Sequence, residues 1–369
     1  MPDALADSRP IFMSEVVEFG GAERSILALA HWLHNQGLPH YLLTYTDHCN
    51  IASYSKDPLT VVELRPKPGV RSKIASLRRH FAERGPSALN PLSSGYQPAL
   101  HLTLARERDF HCLMHDTPSL FNDSRSLANN LRIYLSNAII GFGFRGKGKM
   151  IVTSEYLRSE CARDFGADAE IARMGGFDGS APPRIRPSNG KLNMLSVCRI
   201  EDNKRLDWIL RALAELESAP IPLSSRADWR VDFAGKGSLI PKLKELSASL
   251  GIAARVRFHG FVTDDELEAL HHDAHLFLMP AIQGYGIPAI ESLQRGIPVL
   301  LHRESGVSDI LLDTPWATVL DGDESNIVSA MNSAIDKVIE GRHHLAPPPS
   351  LPTEDEWAER VARLCNWVE

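Results

Sequence analysis

The sequence predicts an α/β protein built from two doubly wound domains. Three observations carry this expectation. At 369 residues the chain is long for one domain and suits two of about 150–200 residues each. Short β-rich apolar runs alternate with amphipathic helical stretches along both halves, the pattern of parallel sheets covered by helices. Between the halves, 181–190 (APPRIRPSNG) combines three prolines with an Asn-Gly pair and reads as a linker.

The first half opens with a short strand at 11–14. Gly20-Gly21-Ala22-Glu23-Arg24 follows and leads into a helix with Ile26, Leu29, Ala30 and Leu33 at helical spacing, ended by Gly37. A strand at 41–46 completes a strand–Gly-loop–helix–strand unit. The loop is not G-x-G-x-x-G, so the dinucleotide fingerprint is absent. Gly20 and Gly21 are then either a tight turn or a place where backbone approaches a phosphate closely. After a strand at 61–64, the stretch 65–84 holds seven basic residues against one acidic one, Glu83. Ile74, Leu77 and Phe81 share one face of its helix. This is either a solvated helix packed on the sheet or a patch for an anionic membrane or anionic acceptor, which Arg145, Lys147 and Lys149 are candidates to extend. The run from His111 places His115 and Asp116 at the carboxyl end of a strand, where open α/β sheets bind ligands. A strand at 151–154 ends in Ser154, a cap for the helix starting at Glu155.

The second half repeats the alternation. A strand at 192–197 feeds Arg199-Ile200-Glu201-Asp202-Asn203-Lys204-Arg205 and a helix with Leu206, Ile209, Leu210, Leu213 and Leu216 on its apolar face. A strand at 229–233 leads to Gly235-Lys236-Gly237. Another at 255–258 leads to Gly260-Phe261-Val262, with Asp264, Asp265 and Glu266 suited to the next first helical turn. The strand at 276–279 enters a Gly-punctuated loop and a helix with Pro288 in its first turn. Gly296 and Pro298 end that helix before a strand at 297–301. Near the C-terminus, Thr353-Glu354-Asp355-Glu356 is a capping-box pattern. It precedes a stripe of Trp357, Val361 and Leu364 that needs an apolar partner.

Composition narrows the classes. Hydrophobic content of 43% and charged content of 23% are ordinary for a soluble globular protein. A net charge of −6 gives no case for nucleic-acid binding. Cys49, Cys112, Cys161, Cys198 and Cys365 are scattered and form no C-x-x-C, which favours reduced thiols in a cytoplasmic setting. The first ten residues lack an apolar signal core, and no run approaches the roughly 20 apolar residues of a bilayer span. The expectation is a cytoplasmic protein, soluble or peripheral to the inner face of the membrane.

The chemistry-bearing residues converge on phosphate. Arg199 supplies a guanidinium fork and Lys204 an ammonium in one strand–helix turn, a natural clamp for a diphosphate. The turn at Gly284-Tyr285-Gly286-Ile287 opens a helix N-terminus, with free N–H groups and the positive end of the helix dipole. In a doubly wound sheet these turns open on one edge.

With these motifs in place, the sequence resembles the retaining glycosyltransferases of family four, the "glycosyl transferases group one" set with the GT-B architecture. The matching segments are GGAER (20–24), Ser154-Glu155-Tyr156, CRIEDNKRLD (198–207), FAGKG (233–237), VRFHGFV (256–262) and QGYGIPAIESLQRGIPVL (283–300). The resemblance implies two Rossmann-like domains facing a cleft: an acceptor-side domain at 1–185, a nucleotide-sugar domain at 186–352, and a final helix at 353–369 crossing back to the first domain. It implies transfer of a sugar from a nucleoside-diphosphate sugar to a hydroxyl of a glycan, lipid-linked or small-molecule acceptor, with retention of configuration. By similarity Arg199, Lys204, Gly20, Gly21, Gly286 and Ile287 meet the donor diphosphate, Glu291 the ribose, and Phe261 and Val262 the base. His115 and Gln283 sit by the reacting sugar. The family usually carries E-x7-E, whose first Glu contacts the donor sugar; here that position is Gln283. Glutamine keeps an acceptor oxygen, gains two donors and loses the charge, which implies altered donor recognition. No cofactor or metal is expected, because cations and a helix N-terminus can stabilise the leaving phosphate. The one D-x-D, Asp321-Gly322-Asp323, falls late in the chain. Two alternatives stay open: a nucleotide-sugar epimerase or hydrolase on the same fold, and a non-catalytic nucleotide-sugar-binding subunit, for which Gln283 speaks.

Overall fold

A computed structural model describes residues 7–83, 89–107, 109–118, 127–176 and 189–369. The chain divides into two compact units, one formed by Met1–Gly175 with Pro352–Glu369, the other by Gly176–Leu351. The division falls at 175/176, ahead of the expected 185, and the expected linker lies outside the described residues apart from Asn189 and Gly190.

In the first unit the strands are β1 (Arg9–Phe12), β2 (Glu15–Val16), β3 (His40–Thr44), β4 (Thr46–Asp47), β5 (Val61–Glu63), β6 (Leu92–Ser94), β7 (His111–Leu113), β8 (Met150–Val152) and β9 (Ala169–Ile171). Seven of them form a sheet in the order β5-β3-β1-β6-β7-β8-β9, while β2 and β4 pair separately. Every pairing is parallel. Both faces of such a sheet must be covered, so its strands read as apolar runs. The covering helices are α1 (Gly21–Asn35), α2 (Val70–Ala82), α3 (Tyr96–Ala105), α4 (Leu127–Gly143) and α5 (Glu155–Phe165). α2, α3, α4 and α5 pack each against the next. Ser154 caps α5 as expected, accepting from Leu157 N at 3.1 Å. Sequence periodicity missed β6, α3 and α4.

Much of the basic charge expected at 65–84 is committed within the unit. Arg65 pairs with Glu63 at 2.8 Å and Lys73 with Glu15 at 2.5 Å. Arg78 donates to the carbonyls of Ala105 at 3.1 Å and Leu104 at 2.8 Å, satisfying the end of α3. Lys67, Arg71 and Arg79 remain exposed.

The second unit holds β10 (Lys191–Val197), β11 (Asp228–Ala234), β12 (Val256–Gly260), β13 (Leu276–Met279), β14 (Val299–His302) and β15 (Ala317–Leu320), all parallel, in the order β12-β11-β10-β13-β14-β15. Its helices are α6 (Leu206–Glu217), the single turn α7 (Leu223–Arg226), α8 (Ile240–Ser249), α9 (Asp264–Asp273), α10 (Ile287–Gln294) and α11 (Ile327–Ile339). The apolar face of α6, through Ile209, Leu210 and Leu213, joins Trp229, Val231, Phe233 and Ile335 in one core.

The last helix, α12 (Glu354–Leu364), belongs to the first unit and packs on α1. It buries Trp357, Val361 and Leu364, the stripe whose partner the sequence left open. The predicted capping box forms: Glu356 N donates to Thr353 Oγ1 at 3.2 Å and Thr353 N to Glu356 Oε2 at 3.0 Å.

Candidate functional site

In each sheet the strand order reverses at its first strand, between β1 and β6 in one unit and between β10 and β13 in the other. Ligands in such sheets bind outside the carboxyl ends of the strands at this switch point, where consecutive loops diverge to opposite faces and leave a crevice.

In the second unit the two loops at the switch point are laced together. Ile282 N donates to Asn203 O at 2.9 Å and Asn203 Nδ2 to Ile282 O at 3.0 Å. Lys204 Nζ, at the end of the short 3-10 turn after β10, donates to Gln283 Oε1 at 2.8 Å. The Gln283 amide is buried and donates in turn to Ser305 Oγ at 2.9 Å and Met279 Sδ at 3.0 Å. Ser305 Oγ passes its own proton to Tyr285 O at 3.0 Å. Backbone bonds from Gln283 N to Glu304 O at 3.1 Å and from Gly306 N to Gln283 O at 3.1 Å hold both loops in register. The ammonium of Lys204 is therefore oriented by a neutral amide.

Gly286 caps the N-terminus of α10 with φ 127°, and Ile287 is the first helical residue. A Cβ on Gly286 would lie 2.7 Å from Gln283 Nε2 and 2.8 Å from Met279 Cε. Only glycine lets this helix start so close to the Lys204–Gln283 pair. Glu291 is half-buried on α10. Arg199 occupies the same exit turn as Lys204; it is 66% exposed and pairs with Glu201 at 3.1 Å. The turn after β11 abuts this one, Ile200 N donating to Lys236 O at 2.7 Å. Lys236 Nζ stands 4.7 Å over the exposed Phe261 ring, and Phe261 and Val262 line a shallow groove with His259 and Glu266. The strands thus carry Arg199, Lys204, Gln283, Gly286, Ile287 and Glu291 to the central part of one sheet edge, with Phe261 and Val262 beyond the end of β12.

In the first unit Gly20 and Gly21 begin α1. Gly20 N donates to Glu23 Oε2 at 3.1 Å, and a Cβ on Gly21 would meet nothing within 4 Å. His115 follows β7, with Nε2 and Ser94 Oγ 2.9 Å apart. Burial pushes its pKa down to about 4, so the ring is neutral at physiological pH.

Sequence reasoning missed Ser305, Ser94 and the pair of Arg205 with Glu304 at 2.8 Å, because each is brought in by sheet order. Two other features stand apart. Asp321 pairs with Arg303 at 3.0 Å and Asp323 Oδ1 accepts from Ser325 N at 3.0 Å, so both D-x-D carboxylates have structural partners. A concavity at the amino edge of the second sheet, lined by Lys191, Asn193, Arg255 and His272, has Arg255 paired with Asp228 at 3.0 Å.

Two Rossmann-like units, each with its candidates at the carboxyl edge of a parallel sheet, define a GT-B architecture. Residues 181–347 match the family described as Glycosyl transferases group 1. The whole chain is similar in fold to Anabaena HepE, solved in complex with UDP, with a TM-score of 0.74 and 14% identity over 98% of this chain and 100% of that one. The GDP-mannose-dependent alpha-(1-6)-phosphatidylinositol monomannoside mannosyltransferase of Mycolicibacterium smegmatis is 28% identical over 201 residues, 49% of this chain and 50% of the relative. The D-inositol 3-phosphate glycosyltransferase of Streptomyces bingchenggensis is 29% identical over 220 residues, 55% of this chain and 46% of the relative. The chain spans about half the length of these curated relatives.

Proposed function

We propose that the protein is a glycosyltransferase that moves a sugar from a nucleoside-diphosphate sugar to a hydroxyl acceptor with retention of anomeric configuration. The observation that carries the reading is the Lys204–Gln283 contact at 2.8 Å beside the N-terminus of α10, at the switch point of the sheet in the segment matching the family. Lys204, Arg199 and the backbone at Gly286 and Ile287 take the diphosphate, Glu291 takes the ribose, and Phe261 and Val262 take the base. As the bond between the anomeric carbon and phosphate oxygen breaks, its electron pair leaves with the phosphate, where these positive groups stabilise it. The acceptor oxygen bonds to the anomeric carbon on the same face, and its proton passes to the departing phosphate oxygen. Within the first unit, neutral His115 at the carboxyl edge of its sheet can hydrogen-bond a sugar hydroxyl. The cations do the work a metal would do, so turnover persists in EDTA.

The acceptor is a glycan, a lipid-linked sugar or a small molecule. We place the protein in the cytoplasm, peripheral to the inner face of the membrane, with the cations of 65–84 as one candidate contact. No helix among the described residues is long and apolar enough to cross a membrane.

A thermal-shift panel of nucleoside diphosphates and their sugars tests the donor site, beginning with UDP and GDP because those nucleotides occur in the names of HepE's complex and of the mycobacterial relative. Wild type should be stabilised by at least one, and Arg199→Ala, Lys204→Ala and Glu291→Ala should respond less. No response in wild type, or an equal response in all variants, removes the donor-site assignment. Binding without transfer to any acceptor would make the chain a nucleotide-sugar-binding subunit.

A further inference from the structure

The outer helical layer of the first unit exposes an apolar stripe. One side of α4 packs inward: Ile140 is fully buried, and Asn137 Oδ1 accepts from Tyr96 Oη at 3.0 Å. On the other side Leu127, Leu131, Tyr134, Leu135 and Phe142 are 89, 59, 71, 53 and 65% exposed. At ~100° per residue these five side chains fall within one arc of roughly 100°, so they form a continuous face along the helix. Scattered exposed apolar residues are normal in a soluble protein, but a contiguous face marks a surface that something covers.

Charge decides what covers it. From 127 to 149 every charged residue is basic: Arg132, Arg145, Lys147 and Lys149. The Arg145 guanidinium lies 5.5 Å from the Phe142 ring centroid, so cation and apolar face are contiguous. Asp109, which approaches this segment, accepts from Lys147 N at 2.8 Å. A second copy of the chain docked on this face would bring two acid-free basic segments together, whereas an anionic lipid surface offers phosphates to the cations and acyl chains to the stripe. At 17 residues α4 is about 25 Å long, and none of the described helices meets the length and hydropathy of a span, so it would lie along a bilayer.

We propose that α4 docks the protein on an anionic lipid surface. Its apolar stripe enters the headgroup boundary, and Arg132, Arg145 and Lys147 meet lipid phosphates. The inference rests on the peripheral reading above but commits to a different surface from 65–84. Because α2 packs on α3 and α3 on α4, the exposed cations of α2 can add attraction without being the anchor.

The test is flotation of the full chain with vesicles of phosphatidylcholine alone or with roughly a third phosphatidylglycerol. Wild type should float with the anionic vesicles only, and less so as salt rises. Leu131→Ser/Leu135→Ser and Arg145→Ser/Lys147→Ser should each cut partitioning about tenfold with unchanged Tm. Failure of wild type to float overturns both the inference and the peripheral reading. Wild-type flotation by the stripe variant, with loss confined to Lys67→Ser/Arg71→Ser/Arg79→Ser, overturns the inference and leaves the peripheral reading standing. A dimer in sedimentation that the stripe variant dissociates, without vesicle binding, assigns the face to a second copy. Neither result bears on the donor site, which soluble nucleotides report.

Discussion

Lys204 Nζ donates to Gln283 Oε1 at 2.8 Å across 79 residues of sequence, joining the exit of β10 to the exit of β13. The amide holds the ammonium in place without neutralising it. Its own two donors are spent on Ser305 Oγ and Met279 Sδ, and Ser305 has already given its proton to Tyr285 O. The pocket around position 283 is thus built to receive donors there. Gln283→Glu would set carboxylate oxygens against a committed hydroxyl and a thioether, and would pair with Lys204 as a charge. Nucleoside-diphosphate affinity should fall by about 1 kcal/mol, roughly fivefold, and recover as pH is lowered far enough to protonate the carboxyl. Gln283→Ala should leave nucleotide affinity nearer wild type and act on transfer or sugar choice. Titration calorimetry of both variants across pH checks this; a pH-independent Gln283→Glu variant with wild-type affinity would refute it.

Gly286 makes the approach of α10 possible. Its φ of 127° lies where side chains rarely go, and its missing Cβ would sit 2.7 Å from Gln283 Nε2. Gly286→Ala therefore combines backbone strain of about 1–3 kcal/mol with displacement of Gln283, and so of Lys204. The expected outcome is a lower Tm together with weaker nucleotide binding. A loss of Tm alone would separate the helix start from the anion site.

How much of this could be read from residues alone varies with burial. α6 was legible because Ile209, Leu210 and Leu213 all face one core. α12 was legible because its cap is local, between Thr353 and Glu356. α4 was not, since its largest apolar side chains face outward and only a few residues, such as Ile140, anchor it. β6 was missed because two of its three residues are serines, buried in spite of their polarity. At the site, the motif residues were visible one by one. Their pairing was not: Ser305 lies 22 residues from Gln283, and only the neighbouring positions of β13 and β14 bring the two together.

Arg205 stands at a position that favours glycine. It caps the N-terminus of α6 with φ 51° and ψ 39°, in the left-handed region. Its guanidinium bonds Glu304 at 2.8 Å and lies 4.4 Å from the Trp208 ring centroid, while Nη1 is buried without a hydrogen-bond partner. Those contacts hold a side chain where the backbone alone would not. Arg205→Ala keeps the strain and loses the contacts, whereas Arg205→Gly loses both. The glycine variant should be the more stable of the two by about 1 kcal/mol, measurable by urea denaturation. An alanine variant at least as stable as the glycine variant would show that the turn relaxes out of the left-handed region once the arginine is gone.

Acid should weaken the first unit before its carboxylates titrate. His101, His111 and His115 all have pKa values lowered to about 4, with burial the first cause in each. For His101 a nearby Lys73 adds to it, and for His111 Lys149 does. Folding therefore favours the neutral ring, and the unfolded chain binds more protons below its histidine pKa of about 6.5. The stability from this source is complete above pH ~6.5, falls as pH drops through the window and levels off below about 4. Its slope is roughly 1.4 kcal/mol per pH unit for each histidine. Tm should hold nearly constant from pH 7.5 to about 6.5 and then fall steadily to pH 5. His101→Gln removes one titrating ring while leaving a hydrogen-bonding group near Tyr45 Oη, which lies 3.2 Å from His101 Nδ1. That variant should start from a lower Tm and lose less of it over the same range; an unchanged slope would mean that His101 is already solvated in the folded state.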